Sequence, residues 1–367
     1  MQIGTTLPLA RSASSSAPGR LGPSLRSTSR GFSLLELLIA ITISLVILVG
    51  LVALYANVSR TNVEMAKTNQ LIENGRFAAQ LLEADVVHAG FWGPVAPIDA
   101  TAVPDPCLAF ASWPTDATAL DSYKKNLMAI PVQGYADASA LAACGVTGVL
   151  ANSDVLVVRH ANTCVAGAGC DGGTDTGPHI QVSGCRTDAP PEPAFVLDDK
   201  AALDARPVKI RAKDCATEIP RRKMVVNIYY VATSSGVPTL MRVSFANGAY
   251  SGPQPLIDGI EAFRVEYGVD DLGSNGLPIS ATNPADGNAD HYVSCPAAGC
   301  SLAQLANVVA VKLYLLSRNV DPTPGYVDAK AYSVGPLAIA AASDNYKRHL
   351  FTTTVRLVNP SSRRELP

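Results

Sequence analysis

The sequence predicts an α+β fold in which a long N-terminal helix, transmembrane in its first half and amphipathic in its second, packs on a β-rich antiparallel head. Residues 37–54 are uncharged and consist largely of Leu, Ile and Val. Residues 57–89 lack proline and repeat small or apolar side chains at steps of three or four, as one face of a helix requires. Short segments beyond residue 90 alternate polar and apolar side chains, which indicates half-buried strands.

The first 30 residues contain four arginines and no acidic residue, and we expect residues 1–31 to be a cytoplasmic leader. The uncharged stretch that follows, together with Phe32–Leu35, approaches the roughly 20 residues that a helix needs to cross a bilayer. The positive-inside rule predicts that the arginines stay in the cytoplasm and that everything after Tyr55 lies on the far side. In a bacterium, that side is the periplasm.

The processing point that the sequence predicts, Gly31, precedes the apolar segment, so the helix would survive cleavage. An ordinary secretory signal carries its cleavage site after the apolar core. Glu36 stands near the start of the apolar run, and a carboxylate at the centre of a span would cost about 2.5 to 3.5 kcal/mol. Such a residue is usually functional. Cleavage after Gly31 would create an α-amine on Phe32, and the four-residue offset places that amine and Glu36 on the same side of a helix.

The second half of the predicted helix carries one apolar face and one charged face. The apolar face consists of Leu71, Gly75, Ala78, Leu82, Val86 and Ala89. The charged residues Glu73, Arg76, Glu83 and Asp85 are predicted to be solvated. Gly90 and the Gly93-Pro94 pair are expected to end the helix.

Six strands are predicted in the head, at Asp154–His160, Lys223–Ala232, Leu240–Ala246, Ile260–Tyr267, Val308–Arg318 and Leu350–Val358. Residues 233–238, Thr-Ser-Ser-Gly-Val-Pro, lie between two of them and predict a hairpin turn. The segments 101–150 and 162–221 are rich in loop-forming residues, and their pattern predicts no particular elements.

Eight cysteines without a Cys-x-x-Cys pair indicate disulfides in an oxidising compartment. The short intervals between Cys164 and Cys170 and between Cys295 and Cys300 predict two local bridges. On the chain-entropy model each would contribute about 2 kcal/mol. A zinc site that uses histidines is the alternative. Its candidate ligands are His160, His179 and His291, although the spacing of a zinc knuckle is absent.

Asp286, Asn288 and Asp290 are spaced like the first ligands of a calcium loop. His291 stands where such a loop needs glycine, and Ala297 stands where it needs a bidentate glutamate. We therefore expect a polar hairpin loop here, with calcium as the alternative, and no cofactor elsewhere in the chain.

The net charge and the absence of catalytic motifs argue against two broad classes of function. A formal net charge of −2 leaves no basic excess, so a nucleic-acid partner is not expected. The motifs Gly-x-Ser-x-Gly, the Walker phosphate loop and His-Glu-x-x-His do not occur in the sequence. An enzyme is therefore not expected either.

Residues 31–40, Gly-Phe-Ser-Leu-Leu-Glu-Leu-Leu-Ile-Ala, resemble the prepilin peptidase recognition sequence of type IV pilins and type II secretion pseudopilins. The resemblance implies that Gly31 precedes the scissile bond and that Phe32 becomes the N-methylated first residue. It implies that Glu36 aligns an incoming subunit with the N-terminus of a neighbour in the filament. The leader is longer than in many pilins that begin with phenylalanine, and Ala53 stands where many major pilins have proline.

Three further segments resemble the PilW family of minor pilins. They are residues 75–78 continuing to 88–93 at the end of the helix, residues 260–270, and residues 346–357. The resemblance implies a pilin-like head and four regions. These are a leader (1–31), a transmembrane and polymerisation helix (32–56), the amphipathic second half of the helix (57–89), and a periplasmic, disulfide-containing head (90–367).

The same resemblance implies a subunit that primes assembly of a type IV pilus and caps its tip. Its implied partners are prepilin peptidase, the inner-membrane assembly platform, other minor pilins, a tip adhesin, and the lipid bilayer through residues 32–56. Two alternatives stay open. The chain could be the initiating pseudopilin of a type II secretion system, or a tip-located binding subunit that uses residues 101–221.

Overall fold

The first element of the fold is one uninterrupted helix. The computed structural model of the chain describes residues 31–167, 176–185 and 193–365. Helix α1 extends from Leu34 to Val86, and no proline interrupts it. The chain divides into two compact parts after Arg60. The first part contains the N-terminal portion of α1, and the second contains the rest of α1 and every other element described below.

The larger sheet has eight antiparallel strands in the described part of the chain. They are β1 (Val132–Tyr135), β2 (Val155–Ala161), β3 (His179–Val182), β4 (Phe195–Asp198), β5 (Arg222–Ser234), β6 (Val237–Ala246), β7 (Ala249–Tyr250) and β8 (Gln254–Asp258). The long strand β5 pairs with β2, β3 and β6 and so organises the sheet.

The smaller sheet comes from the C-terminal third of the chain. Its strands are β9 (Ile260–Val269), β10 (His291–Val293), β11 (Val308–Arg318) and β14 (Arg348–Arg356), and a separate hairpin consists of β12 (Tyr332–Val334) and β13 (Leu337–Ile339). The order across this sheet is β10-β9-β11-β14, and all its pairs are antiparallel. Strand β14 therefore lies at one edge.

Four shorter α-helices complete the described structure. They are α2 (Ala117–Ala129), α3 (Lys200–Asp204), α4 (Leu302–Leu305) and α5 (Val358–Arg364). Local capping explains where two of them begin. Asp116 accepts hydrogen bonds from the N–H groups of Thr118 and Ala119 at the start of α2, and Ser301 forms a capping box with Gln304 at the start of α4.

Two apolar cores lie on opposite faces of the larger sheet. The first is shared by the second half of α1 and the two sheets, and the second by the larger sheet, α2 and the loops near Trp92 and Trp113. Strand β2 shows how both cores are filled. Leu156 and Val158 point into the first core, whereas Val155 and Val157 point into the second. A strand buried on both faces has a continuous apolar sequence, as the run Val-Leu-Val-Val in β2 shows.

The predicted α+β fold, with a long apolar helix and an antiparallel β-rich head, is confirmed. All six predicted strands are present, as β2, β5, β6, β9, β11 and β14. The predicted hairpin turn joins β5 to β6, and Ser235 and Gly236 both have positive φ angles, of 49° and 82°. Two successive left-handed residues are typical of a type I′ turn. The segments without predicted elements contain α2, α3, β1, β3 and β4.

Candidate processing and assembly site

The N-terminus of α1 is closed by a reciprocal pair of hydrogen bonds. A carboxylate oxygen of Glu36 accepts the backbone N–H of Ser33 at 3.0 Å, and the Ser33 hydroxyl accepts the N–H of Leu35 at 3.3 Å. This arrangement is a variant of the capping box, which satisfies N–H groups that have no partner within the helix. The spacing Ser-x-x-Glu is visible in the sequence, and it provides a local role for Glu36 that the pattern analysis missed.

Gly31 and Phe32 precede this cap and are open to solvent. A Cβ atom built on Gly31 meets no atom within 4 Å, and the Phe32 side chain is 86% exposed. The peptide bond between them is therefore accessible. Since Glu36 already contacts the N–H next to Phe32, its carboxylate lies on the side of the helix where cleavage would create the new α-amine.

The first part of α1 presents apolar side chains on all sides. Every residue from 31 to 60 is exposed, and α1 is the one described helix long and apolar enough to cross a membrane. Length and composition alone support that assignment. Side chains such as Leu48 and Leu51 are more than half exposed. A continuous apolar surface of this length requires lipid or protein around it.

The second part of α1 buries the predicted apolar face in the head. Leu71, Gly75, Ala78, Leu82 and Val86 are the buried residues of this helix, and Ala89 follows with no exposed surface. At Gly75, an added Cβ atom would lie 2.1 Å from Cε2 of Phe351. The ring of Phe351 thus needs the space that glycine leaves, and it packs a residue of β14 directly against the helix backbone.

Asp85 is not solvated, and the prediction for this residue was wrong. Its side chain is 14% exposed, and the carboxylate accepts hydrogen bonds from Asn227 at 3.1 Å, from Tyr229 at 3.0 Å and from His160 at 2.9 Å. A carboxylate at the C-terminal end of a helix is disfavoured by the helix dipole. Three donors from the larger sheet compensate for that effect. The other three predicted surface residues, Glu73, Arg76 and Glu83, are exposed.

The environment of Asp85 changes the protonation of two of its donors. Burial lowers the pKa of His160, but the hydrogen bond and charge of Asp85 outweigh burial, so the pKa is raised above its ordinary value. Burial, with Asp85 as the second cause, raises the pKa of Tyr229. The tyrosine therefore stays a neutral donor at physiological pH, and the His160–Asp85 contact gains charge as the histidine becomes protonated.

A second group of polar contacts holds α1 near the start of the head. Glu64 accepts hydrogen bonds from Thr323 at 2.7 Å and from Lys347 at 3.3 Å. Lys67 donates to the carbonyl oxygen of Pro322 at 2.9 Å. The hydrogen bond from Thr323 is the largest cause that lowers the pKa of Glu64. These contacts join the helix to the C-terminal quarter of the chain.

The C-terminal helix α5 satisfies carbonyl groups just beyond the end of α1. Asn359 donates to the carbonyl oxygen of Ala89 at 3.2 Å, and Arg363 donates to that of Gly90 with two nitrogens, each at 3.2 Å. The last carbonyl groups of a helix and of the turn that follows need such partners because they accept no bond within the helix. The helix ends at Val86, and Gly90 has a positive φ of 71°, which turns the chain into the head.

Three disulfide bonds lie within the described residues. They join Cys107 to Cys144, Cys185 to Cys215 and Cys295 to Cys300. Cys164 is also disulfide-bonded. Cys170 lies outside the described residues, so the Cys164–Cys170 bridge stays a prediction.

The residues of the calcium alternative contact the backbone. A carboxylate oxygen of Asp286 accepts the N–H of Asn288 at 2.9 Å. Asp290 accepts the N–H groups of Asp271 and Leu272 at 2.9 and 2.8 Å. Both carboxylates thereby order loops. Within the described residues, no group of three or more His, Cys, Asp and Glu side chains could hold a metal.

The histidines of the zinc alternative have separate contacts. His160 contacts Asp85, a ring nitrogen of His179 lies 2.9 Å from the carbonyl oxygen of Gly177, and His291 lies 3.4 Å from Asp271.

Two family models match the chain in the regions that form this site. The model described as the prokaryotic N-terminal methylation motif matches residues 26–52, which include Gly31, Phe32 and Glu36. The model described as type IV pilus-assembly protein W, PilW, matches residues 228–359. The second match extends from the middle of β5 to Asn359, and it therefore includes Phe351 and the first residue that caps α1.

Similarity to individual proteins is remote. No curated protein matches the sequence. Among solved structures, a type IV-like pilin from Thermus thermophilus is 13% identical with a TM-score of 0.34, over 79% of this chain and 96% of that chain. The chain therefore carries a prepilin-type N-terminal methylation motif and, at residues 228–359, a region similar to the PilW family of type IV pilus-assembly proteins.

Proposed function

We propose that this chain primes assembly of a type IV pilus and caps its tip after processing by prepilin peptidase. The observation that carries the proposal is the exposed apolar surface of residues 34–54, on a helix that continues into the folded head. Such a surface is suited to a bilayer before assembly and to a bundle of like helices afterwards. Similarity of residues 228–359 to a family of pilus-assembly proteins supports a role through packing and not through catalysis.

The proposed topology follows from the charge of the leader. Residues 1–31 would stay in the cytoplasm because they contain four arginines and no acidic residue. Residues 32–56 would span the inner membrane, and residues 57–89 would link the span to the head at residues 90–367 in the periplasm. Disulfides in the head support an oxidising compartment.

Processing is tested by the substitution Gly31→Asp. A bulky charged residue next to the proposed scissile bond should block cleavage, so the variant should migrate as the unshortened precursor on an immunoblot. Gly50→Ala is the matched control, because an added Cβ at Gly50 meets no atom within 4 Å. A Gly31→Asp band of the mature size would refute the assignment of the cleavage site.

The assembly role of Glu36 is tested by Glu36→Gln together with Ser33→Ala. Glu36→Gln removes the charge that would pair with a neighbour's N-terminus, so the variant should be cleaved normally but be absent from sheared pili. Ser33→Ala removes the hydroxyl of the helix cap and keeps both the carboxylate and the N–H that it accepts. Equal incorporation of the two variants would show that the charge of Glu36 does not act in assembly.

Deletion of the gene distinguishes the pilus from the secretion apparatus. The proposal expects loss of surface pili and twitching, with secretion of exoproteins unchanged. Loss of secretion with normal twitching would instead support the initiating pseudopilin. Co-purification from membranes followed by mass spectrometry identifies which set of minor subunits and which assembly platform accompany the chain.

The alternative of a tip-located binding subunit is favoured by one observation. Residues 101–221 precede the PilW match and are crosslinked by the Cys107–Cys144 and Cys185–Cys215 disulfide bonds. This segment cannot simply be deleted, because β2 pairs with both β1 and β5 inside the larger sheet. Substitution of exposed residues, such as Asp121→Lys with Lys125→Glu on α2, keeps their ion pair and tests binding. Unchanged adhesion of piliated cells would count against this alternative.

A further inference from the structure

The edge strand β14 has the features of a site for strand addition. It is nine residues long and pairs with β11 over its whole length without a register shift. The other terminal strands of the two sheets in the described chain are shorter: β1, β4 and β10 have three or four residues, and β8 has five, with Pro255 and a register shift. Natural sheets protect their edges by short strands, proline, lysine or bulges. Strand β14 has none of these.

The register shows which backbone groups of β14 are open. Leu357 donates to Val309, and Asn319 donates to Lys347, so the odd-numbered residues of β14 form the hydrogen-bonded pairs with β11. The N–H and C=O groups of Leu350, Thr352 and Thr354 therefore point away from β11. Thr352 and Thr354 are exposed. A continuous row of donors and acceptors thus faces solvent at this edge.

The arginines of β14 lie at its two ends, and both are paired with carboxylates. Arg348, at the start of the strand, forms ion pairs with Glu261, Asp328 and Asp344. Arg356, at its end, pairs with Glu365. The residues between Leu350 and Val355 carry no charge. An occupant of this edge would therefore be an uncharged, extended segment rich in β-branched residues, since a charged strand would find no partner there.

A second copy of the chain does not fit this edge in antiparallel pairing, which is the more stable arrangement of two strands. Lys347 contacts Thr68, Phe351 packs at Gly75, and Asn359 contacts Ala89, so β14 and the second half of α1 run in the same direction. Two copies that paired their β14 strands in antiparallel fashion would have α1 helices in opposite directions. Helices inserted into one membrane from the same side run in the same direction. The occupant is therefore a different subunit.

We infer that β14 is a docking edge to which the head of a different pilin-like subunit adds one extended, uncharged strand. Main-chain hydrogen bonds from Leu350, Thr352 and Thr354 would supply the affinity, as in other cases of β-augmentation. The inference deepens the proposed function and rests on it, because the partner is another subunit of the same assembly.

The test uses the full-length chain in its own cells, with the photo-crosslinking residue p-benzoylphenylalanine at position 354. Irradiation should give a product that mass spectrometry identifies as the head of another protein with an N-terminal methylation motif. The photo-crosslinker at position 353, whose backbone pairs with β11, is the positional control and should give far less product.

The contribution of the β14 backbone to docking of the partner strand is tested by comparing Thr352→Pro with Thr352→Ala. Proline removes only an outward N–H and places its ring in the path of an added strand, so the crosslinked product should fall about tenfold. Alanine keeps the N–H and should leave the product unchanged. If loss of resistance to trypsin shows that Thr352→Pro is unfolded, the double variant Thr352→Lys and Thr354→Lys replaces it, because lysines at an edge disfavour strand addition.

Three results would overturn the inference: no product, a homodimer as the main product, or equal product from the proline and alanine variants. Failure of the proposed function has a different signature. If deletion of the gene leaves pili and twitching normal, the proposed function is wrong whatever the crosslinks show. If deletion abolishes pili while Thr352→Pro crosslinks normally, the proposed function stands and the edge is not the contact.

Discussion

At the scale of single residues, Gly75 and Asp85 fix α1 against the head in different ways. Gly75 leaves room for the ring of Phe351, and Asp85 accepts hydrogen bonds from the larger sheet. The first contact depends on the absence of a side chain and the second on a charge. Each therefore has its own diagnostic substitution.

The variant Gly75→Ala should destabilise the head even though alanine favours helices. The added Cβ would lie 2.1 Å from the ring of Phe351, and forced overpacking costs about 1 to 3 kcal/mol. Thermal unfolding of the full chain in detergent measures the loss. Gly50→Ala is the control, and Phe351→Leu in the Gly75→Ala background should restore part of the stability. A Gly75→Ala protein as stable as the wild type would contradict this packing.

The contact between Asp85 and His160 should make stability depend on pH. Because the pKa of His160 is raised in the folded state, its contribution is complete below the ordinary histidine pKa and is lost as pH rises through the folded pKa. The difference in unfolding free energy between wild type and Asp85→Asn should thus be larger near about pH 5.5 than near about pH 9. Denaturant titrations at both pH values measure it.

A second histidine provides the control for this dependence. The ring of His88 lies 5.9 Å from that of His160, and His88 contacts the carbonyl oxygen of Ala84. His88→Gln should leave the pH dependence in place, whereas His160→Gln should remove it. A difference between wild type and Asp85→Asn that is constant across pH would show that protonation of His160 is not coupled to this contact.

Residue roles were predictable only where the sequence neighbourhood determines them. The buried face of α1 follows from spacing, and all its predicted members are buried. Asp85 lies on that same face, three residues after Leu82 and four before Ala89, but its charge was taken to mean solvation. Its partners Asn227 and Tyr229 are more than 140 residues away in the chain. Periodicity on one helix contains no information about donors on a distant strand. That is why the prediction of a solvated Asp85 failed.

At the scale of elements, α5 acts as a cap for α1. The substitution Asn359→Ala removes the hydrogen bond to the carbonyl oxygen of Ala89, and loss of such a bond costs about 1 kcal/mol. We expect lower stability in denaturant titrations and faster proteolysis near residue 90. Ser362→Ala, at an exposed position of the same helix, is the control. Equal behaviour of the two variants would show that α5 does not cap α1.

The elements that could be predicted are the long ones with a strong period. Strand β11 has the predicted bounds, Val308 to Arg318, because its almost continuous apolar run is long enough to be recognised. Strands β1, β3 and β4 have four residues each, which is too short for a period to be recognised. Helix α2 has an N-cap signal at Asp116, but its surroundings are rich in loop-forming residues. Pairing with neighbouring strands, β1 with β2 and β3 with β4 and β5, determines these short strands and local propensity does not.

At the scale of the whole molecule, the disulfides should differ in their effect on stability. Cys107 and Cys144 are 37 residues apart, whereas Cys295 and Cys300 are five apart. The chain-entropy model assigns about 4 kcal/mol to the long loop and about 2 kcal/mol to the short one. Paired Cys→Ser variants compared by denaturant titration test this order. Equal losses would show that loop length does not govern the contribution of these bridges.

The arrangement of the two sheets was beyond sequence analysis. The long strands of the PilW-like region were predicted and its short ones, β7, β8, β10, β12 and β13, were not. The order of the strands, and the position of β14 at an edge, depend on contacts between distant segments. The N-terminal motif was the most informative part of the sequence because its function depends on a few adjacent residues. The head required the structure, since its polar contacts with α1 come from distant segments, namely β2, β5 and the C-terminal quarter of the chain.

The cap that α5 places on α1 has a consequence for biosynthesis. Asn359 and Ala89 are 270 residues apart, and a ribosome that adds about 5 to 20 residues per second needs roughly 13 to 54 seconds to make that segment. Throughout this time the end of the first helix lacks its last hydrogen-bond partners, although the membrane span has already left the ribosome. The contact between Asn359 and Ala89 therefore cannot form until residue 359 has been made, which leaves an interval of this length in which chaperones can act on the nascent head.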